Sequence, residues 1–347
     1  MSPIDILAKL WPLILVASAL GFGLNLAGLL AYAERKQSAI MQDRIGANRA
    51  SILGFKLWGL VTMVADAIKM FTKEDFIPKG ANKTLHAIAP VVSLGFALLC
   101  LAALPFGGMV EFAGRTWSLQ PIESPVGLLF VLAMLGLGVH GVMMAGFASG
   151  SNYGLLGGLR GAAQMVSYEV CMAATLAGLV FIYGTLDLQQ AVLWQGRHVW
   201  GICVQPLGFL LFLTAGAAET KRAPFDLPEG ESEIVGYFVE YSGMKMGMFM
   251  MTDFVESIVL AGLITTLFLG GWQIPFYTPA GLIGGALMLA SFVGKVLLVL
   301  FVLMQIRWTL PRFRFDQLLH LGWKNVLPLA LLNFLATIWL VYARTHS

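Results

Sequence analysis

The stretch VGLLFVLAMLGLGVHGVMMAGFA, residues 126–148, carries His140 as its only ionisable side chain. As a helix rising 1.5 Å per residue it covers roughly 34 Å, enough for the ~30 Å hydrocarbon core of a bilayer. It shows no period-2 alternation, so a helix rather than a barrel strand satisfies its backbone in lipid. Seven other stretches read the same way: 11–33, 85–105, 161–183, 199–218, 244–270, 280–305 and 325–343. The sequence therefore predicts an all-α membrane protein, one polytopic domain over residues 1–347 with eight transmembrane helices. Composition agrees, with 58% apolar and only 12% charged residues among 347, against about 25% charged in soluble domains. That balance excludes a soluble enzyme, a disordered chain and a nucleic-acid binder. The run 11–33 follows Lys9, is too long for a signal-peptide core and lacks a cleavage-like end, so it predicts a retained first span.

Orientation follows from Lys and Arg, which concentrate in cytoplasmic loops. Of 22 basic residues, 17 fall in the segments 34–84, 149–160, 219–245 and 306–324. Lys9, Arg115, Arg197 and Arg344 lie on the opposite side, and Lys295 sits inside the seventh span. Both termini are thus expected on the non-cytoplasmic side. Cys100, Cys171 and Cys203 are far apart within apolar runs, which fits no metal, Fe–S or disulfide framework.

Two cytoplasmic segments are more than connectors. Residues 54–73, GFKLWGLVTMVADAIKMFTK, are too charged to span. At 100° per residue Thr62, Asp66, Lys69 and Lys73 share one face, the pattern of an amphipathic helix lying on the membrane surface or packed under a partner subunit. The segment 219–243 holds Glu219, Asp226, Glu229, Glu231, Glu233 and Glu240 against Lys221 and Arg222, with Pro224, Pro228 and Gly230 opposing a continuous helix. A solvated loop of this kind has no function. Beside so much apolar sequence, however, part of the cluster is expected to be buried, and closely spaced carboxylates in low dielectric cannot all ionise. Ionisable residues inside spans extend the theme: His140, Glu169 beside Tyr168, Asp253 and Glu256 three apart on one face, and Lys295. Any one of them can be a satisfied structural group. Five over four spans point to a buried polar path, with Asn25, Gln164 and Gln305 as hydrogen-bonding or water-holding members.

The segments AERK (33–36), ADAIKMFTKE (65–74), GFASGSNYGLLGGLRGAAQMVSYEV (146–170), AETKRAPFDLPEGESEIVGYFVEY (218–241) and LPRFRFDQLLHLGWK (310–324) together resemble the H subunit (subunit 1) family of respiratory complex I. The likeness keeps one register from Glu34 to Pro328 and covers every large cytoplasmic loop. It implies eight transmembrane helices with both termini outside. It also implies a non-catalytic membrane subunit of a proton-translocating NADH:quinone oxidoreductase, joining the electron-carrying arm to the proton-pumping arm. By the same resemblance Glu34, Arg35, Asp66 and Arg307 belong to the quinone channel. Tyr168, Glu169, Glu219, Arg222, Asp226, Glu229, Glu231, Glu233, Glu240, Tyr241, Asp253, Glu256, Lys295 and His140 belong to the coupling and proton path. The sequence departs from the family pattern at Gly46–Ala47–Asn48, where two prolines are missing, and at His140, Ala223 and Phe315.

The resemblance implies a lipid quinone as substrate, with no FMN or Fe–S ligands in this chain. The partners it implies are the peripheral quinone-site and Fe–S subunits, small membrane subunits, antiporter-like subunits and membrane lipid. The location it implies is a bacterial inner membrane rather than that of an organelle. No nucleotide fingerprint contradicts this, since Gly21 and Gly23 lie inside a span rather than after a strand. Two rival classes remain at this level. One is the membrane anchor of an energy-converting hydrogenase or ferredoxin-dependent complex, against which the EGESE and AERK motifs argue. The other is a stand-alone secondary transporter, which would show an inverted repeat and a midplane site.

Overall fold

In the computed structural model, residues 3–346 are described apart from 52–53, 55–56, 113, 231–232, 235 and 276–280. The first helix, α1 (Pro3–Met41), outlasts its apolar run by about two turns. ERKQSAIM is a sequence of mostly good helix formers, and the helix stops where Asp43 takes φ 51°. Glu34 and Arg35 therefore sit on a rigid helical extension. Helix α2 (Val61–Thr72) follows a 3₁₀ turn at Leu57–Gly59, so the amphipathic helix is shorter than the expected 54–73. Then come α3 (Lys83–Ala102), the hairpin β1 (Met109–Phe112) and β2 (Arg115–Ser118), and α4 (Gly127–Ala148). Only residues 149–151 separate α4 from α5 (Asn152–Tyr183), which places Arg160 on a helix rather than in a loop. The hairpin, absent from the sequence reading, buries Val110 and Trp117, and its Ser118 carbonyl accepts from the Trp11 indole.

The chain continues through α6 (Leu188–Arg197), α7 (Gly201–Val204) and α8 (Pro206–Glu219). The apolar stretch 199–218, expected as one span, is broken at Gln205 (φ −134°, ψ 71°), because Pro206 cannot donate to a continuing helix. What remains is a helix of 14 residues, about 21 Å long against the ~30 Å apolar core. Helix α9 (Gly243–Phe268) and α10 (Gly281–Thr309) follow. Last are α11 (Phe315–His320), a π-helical turn at Leu321–Val326 and α12 (Leu327–His346), which run on as one apolar rod. Seven of the described helices are long and apolar enough to cross a membrane, and α8 is the eighth, shorter apolar one.

Helix α9 is the axle. Every residue from Thr252 to Phe268 is buried, as expected for a helix enclosed on all sides. It packs on α1, α2, α3, α6, α7, α8 and α10. Asp253 and Glu256 are thus carried to the middle of the protein by the most enclosed element in it.

Close packing of α3 on α4 rests on Gly141, where a Cβ would lie 2.7 Å from the Ser93 backbone. With no hydrophobic drive between helices in lipid, such approaches supply the packing energy. Gly141→Leu is expected to destabilise the assembled protein by about 1–3 kcal/mol through overpacking, read as a lowered thermal transition. Gly95→Leu, on the partner helix α3 with open space around it, is the control and should leave the transition in place. Equal behaviour of the two would contradict this packing.

Candidate functional site

Thr220 and Lys221 end α8, and Lys221 takes a left-handed backbone conformation (φ 54°). This turn sends two consecutive cations to different partners. Lys221 is 1% exposed, its Nζ 3.3 Å from Oδ1 of Asp253 and 3.3 Å from Oε2 of Glu256. Arg222 instead pairs with Oε1 of Glu34 and stacks on the Phe254 ring. The other oxygen of Glu34 accepts from Arg307 at 2.8 Å, so one carboxylate ties α1 to the acidic loop and to α10. Arg312, which the sequence reading overlooked, holds Asp226 at 2.8 Å.

Acids outnumber bases at the centre. Around Lys221 lie Asp253, Glu256, Glu229 and, beyond them, Glu219, neither of whose carboxyl oxygens has a protein hydrogen-bond partner. Glu229 and Asp253 lie in electrostatic reach of one another, and closely spaced carboxyl groups in low dielectric cannot all ionise. Burial pushes the Glu229 carboxyl well up, and Asp253 and Asp226 push the same way. Asp226 rises to about 6 through burial, against the opposing pull of Arg312 and Arg307. Burial alone would depress the Lys221 ammonium, but Glu256, Asp253 and Glu229 outweigh it and hold the proton on. Tyr237 is fully buried beside these acids, its phenol pushed up first by burial and then by Asp253, and its hydroxyl has no hydrogen-bond partner among the described residues. The sequence reading missed Tyr237, and nothing local to it marks the role.

The cluster continues outward. Glu219 is in electrostatic reach of Glu256 and Glu169. Glu169, half-buried, lies over Gly136 of α4, where a Cβ would meet its carboxyl at 2.5 Å. Asp226, Glu229, Asp253, Glu256, Glu219 and Glu169 thus form one acidic series across the loop, α9, α8 and α5.

Other expected members lie elsewhere. Tyr168 is buried next to Glu169 in sequence but points to α11, donating to the Leu318 carbonyl at 2.9 Å. Glu233 is exposed and paired with Arg160 at 2.7 Å. Glu231 lies outside the described residues. His140 is exposed on α4, its ring bonded among the described residues to the Leu137 carbonyl of its own helix. Lys295 is not in the series either. Its Nζ donates to the carbonyls of Leu269, Gly271 and Gln273 at 2.7–2.9 Å and lies over Trp200. That is the far end of α9, about 24 Å from Asp253 along the helix axis. Gln164 staples the loop, donating to the carbonyls of Ala218 and Phe225. The backbone of Glu240 and the ring of Tyr241 meet His86.

A second feature adjoins the first. Between α1, α2 and α9 lies a cavity of about 380 Å³, lined by Met63, Met70, Met248, Met251 and Phe254, with Asn25, Tyr32, Arg35 and Asp66 as its polar groups. Arg35 and Asp66 form an ion pair across it at 2.5 Å. Beside Glu34, Arg222 and Arg307 a cleft of about 30 Å³ offers room for roughly one or two waters.

The central lysine yields a direct test. Removing one partner of a buried ion pair typically costs about 3–5 kcal/mol, because the remaining charge is uncompensated. Lys221→Met is therefore expected to lower the thermal transition of the assembled protein sharply. Adding Glu256→Gln to it should recover part of the loss. If the single variant is as stable as the parent, Lys221 does not neutralise this cluster.

A family model described as NADH dehydrogenase matches residues 13–338. The second H subunit of NADH-quinone oxidoreductase in Geobacter sulfurreducens is 46% identical over 319 residues, 92% of each chain. The H subunit of the same enzyme in Anoxybacillus flavithermus is 44% identical over 334 residues, 94% of each. The first H subunit in Cytophaga hutchinsonii is 39% identical over 328 residues, 93% of this chain and 94% of its own. Matched along nearly its whole length, the chain belongs to the NADH dehydrogenase family, among the H subunits of NADH-quinone oxidoreductase.

Proposed function

We propose that this chain is the bacterial inner-membrane subunit that admits a lipid quinone to its reduction site and couples that reduction to proton translocation. It crosses the membrane eight times, α8 included, with both termini on the non-cytoplasmic side. Its partners are the peripheral quinone-site and Fe–S subunits, which supply the electrons, and the small and antiporter-like membrane subunits. The observation that carries the reading is contiguity. Phe254 lines the apolar cavity, and the adjacent residue in sequence, Asp253, is the acid bonded to Lys221.

The cavity suits a quinone by its chemistry. Methionine side chains adapt to an irregular apolar ligand, while Arg35 and Asp66 offer charged contacts where a polar ring passes. Reducing a quinone to quinol consumes two electrons and two protons, and the charge that develops before protonation is negative. Glu34, shared between Arg222 and Arg307, links that event to the loop. A change of charge there alters how the over-filled acid cluster distributes its protons. The shift passes through Glu229, Asp253, Glu256 and Glu219 to Glu169. Lys295, bonded to carbonyls at the far end of α9, stands outside this series.

Arg35→Met or Asp66→Asn is expected to raise the apparent quinone KM about threefold to tenfold, the range for losing a charged contact that is partly solvated. An unchanged KM in both, in assembled complex, would remove the cavity from the quinone path. For coupling, Glu229→Gln should cut quinone-linked NADH oxidation at least about tenfold, equivalent to about 1.4 kcal/mol, while NADH oxidation by a hydrophilic artificial acceptor stays normal. Glu233→Gln, at the solvated Arg160 pair, should have little effect. Equal activities in the two variants would sink the role given to the buried cluster.

A further inference from the structure

His86 enters none of this chemistry, yet it is fully buried in the first turns of α3 and is surrounded by the exit of the acidic loop. Its ring stacks on Tyr241 with centroids 4.0 Å apart and planes 3° from parallel. Its Nε2 lies 3.3 Å from the Glu240 carbonyl and its Nδ1 lies 3.5 Å from Lys245 Nζ on α9. Lys245 in turn pairs with Asp75, in the segment between α2 and α3, at 2.8 Å. The neighbouring Ser242 hydroxyl donates to the Glu74 carbonyl of that segment at 2.9 Å. Asp75 and the Glu240 side chain are the acids in electrostatic reach of the imidazole, and Lys245 is the cation.

These partners fix the proton. A carbonyl only accepts, so Nε2 carries hydrogen; an ammonium only donates, so Nδ1 offers its lone pair. The arrangement requires a neutral imidazole. A second proton on Nδ1 would put a cation 3.5 Å from the Lys245 ammonium and remove the acceptor that Lys245 uses. What the ring holds matters to the cluster. Tyr241 meets Phe249 edge to face, Phe249 meets Tyr237 the same way, and Tyr237 is the buried phenol beside Asp253 and Glu229.

We infer that His86 is a positioning residue: as a neutral imidazole it clamps the exit of the acidic loop between α3 and α9, and on protonation it releases that exit and, through the aromatic stack, the seat of Tyr237. Its consequence for turnover rests on the coupling role proposed above. The clamp itself does not.

Hydrogen–deuterium exchange of the whole assembled complex, without quinone, tests the clamp. In the parent, exchange of residues 238–246, corrected for intrinsic rates, should rise at least about tenfold between about pH 8 and about pH 5.5. Those values bracket the ordinary imidazole pKa of about 6.5, and one linked proton supplies a tenfold ratio per pH unit. His86→Gln, which keeps a donor and an acceptor but does not titrate, should abolish the rise. A flat response in the parent, or an equal rise in the Gln variant, overturns the clamp. If that variant does not assemble, Lys245→Met removes the opposing cation and should shrink the rise; a rise of full size overturns the clamp equally. Quinone-linked activity in the Gln variant should lose less on acidification than in the parent, with artificial-acceptor activity unaffected. An unchanged acid limb beside a lost exchange response would overturn the positioning role in turnover while leaving the clamp intact. Failure of the coupling role itself would show separately, as normal quinone-linked activity in the Glu229→Gln variant.

Discussion

One lysine is surrounded by more carboxyl groups than it can neutralise, and the rest of the site follows from that excess. Taking each ion out of water costs several kcal/mol even after relaxation. Lys221 at 1% exposure offsets one charge among Asp253, Glu256, Glu229 and Glu219. Among the rest, burial and the neighbouring acids favour the protonated form of the Glu229 carboxyl. The backbone accepts strain to build this. Lys221 stands at φ 54°, a conformation that costs an L residue about 1–2 kcal/mol, and it brings the ammonium 3.3 Å from both Asp253 and Glu256.

The loop keeps these groups in register without being a helix. Pro224 and Pro228 prevent regular backbone, so its polar groups need other partners. Gln164 takes the Ala218 and Phe225 carbonyls, Phe313 donates its backbone N–H to the Pro224 carbonyl and stacks its ring on Phe225, and Arg312 takes Asp226. These tethers come from α5 and from the segment between α10 and α11. Arg222 and Arg307 on Glu34 add α1 and α10. A change of charge at Glu34 is therefore felt where α1, α10 and the loop meet.

Much of this was legible in sequence, and the illegible parts have a physical pattern. Hydropathy located the long helices because an uncharged run of 20 or more residues has few alternatives in lipid. It misjudged 199–218, where apolarity was uniform but Gln205–Pro206 broke the helix, and it gave no sign of the hairpin at 109–118. Glu34 and Arg35 came from resemblance, Asp66 and the acids of the loop already from the charge pattern, and Glu34, Arg35, Asp66, Asp226 and Glu229 sit where charge chemistry is possible. Counting charges inside spans was a weaker guide. It grouped Lys295 and His140 with the acids, although one binds carbonyls at the far end of α9 and the other is exposed on α4. His86 is 154 residues from Glu240 in sequence, and Arg312 is 86 from Asp226. Pairings at that separation leave no local trace.

For the coupling proposed above, Lys295 gives a reason for the acidic cluster to respond by moving protons rather than by moving α9. The last carbonyls of a helix lack internal partners and carry the negative end of its macrodipole. Lys295 caps that end through Leu269 and the following turn at Gly271 and Gln273. Toward the other end, Lys221 binds Asp253 and Glu256 while Lys245 is held by Asp75 and His86. A helix fixed by cations at both ends, and buried on all sides between them, has little freedom to slide. What can then change at the site is the distribution of its protons. In the coupling proposed above, a signal arriving at Glu34 is expressed as a redistribution of protons among acids, of which those on α5, α8 and α9 are held in place by the fold.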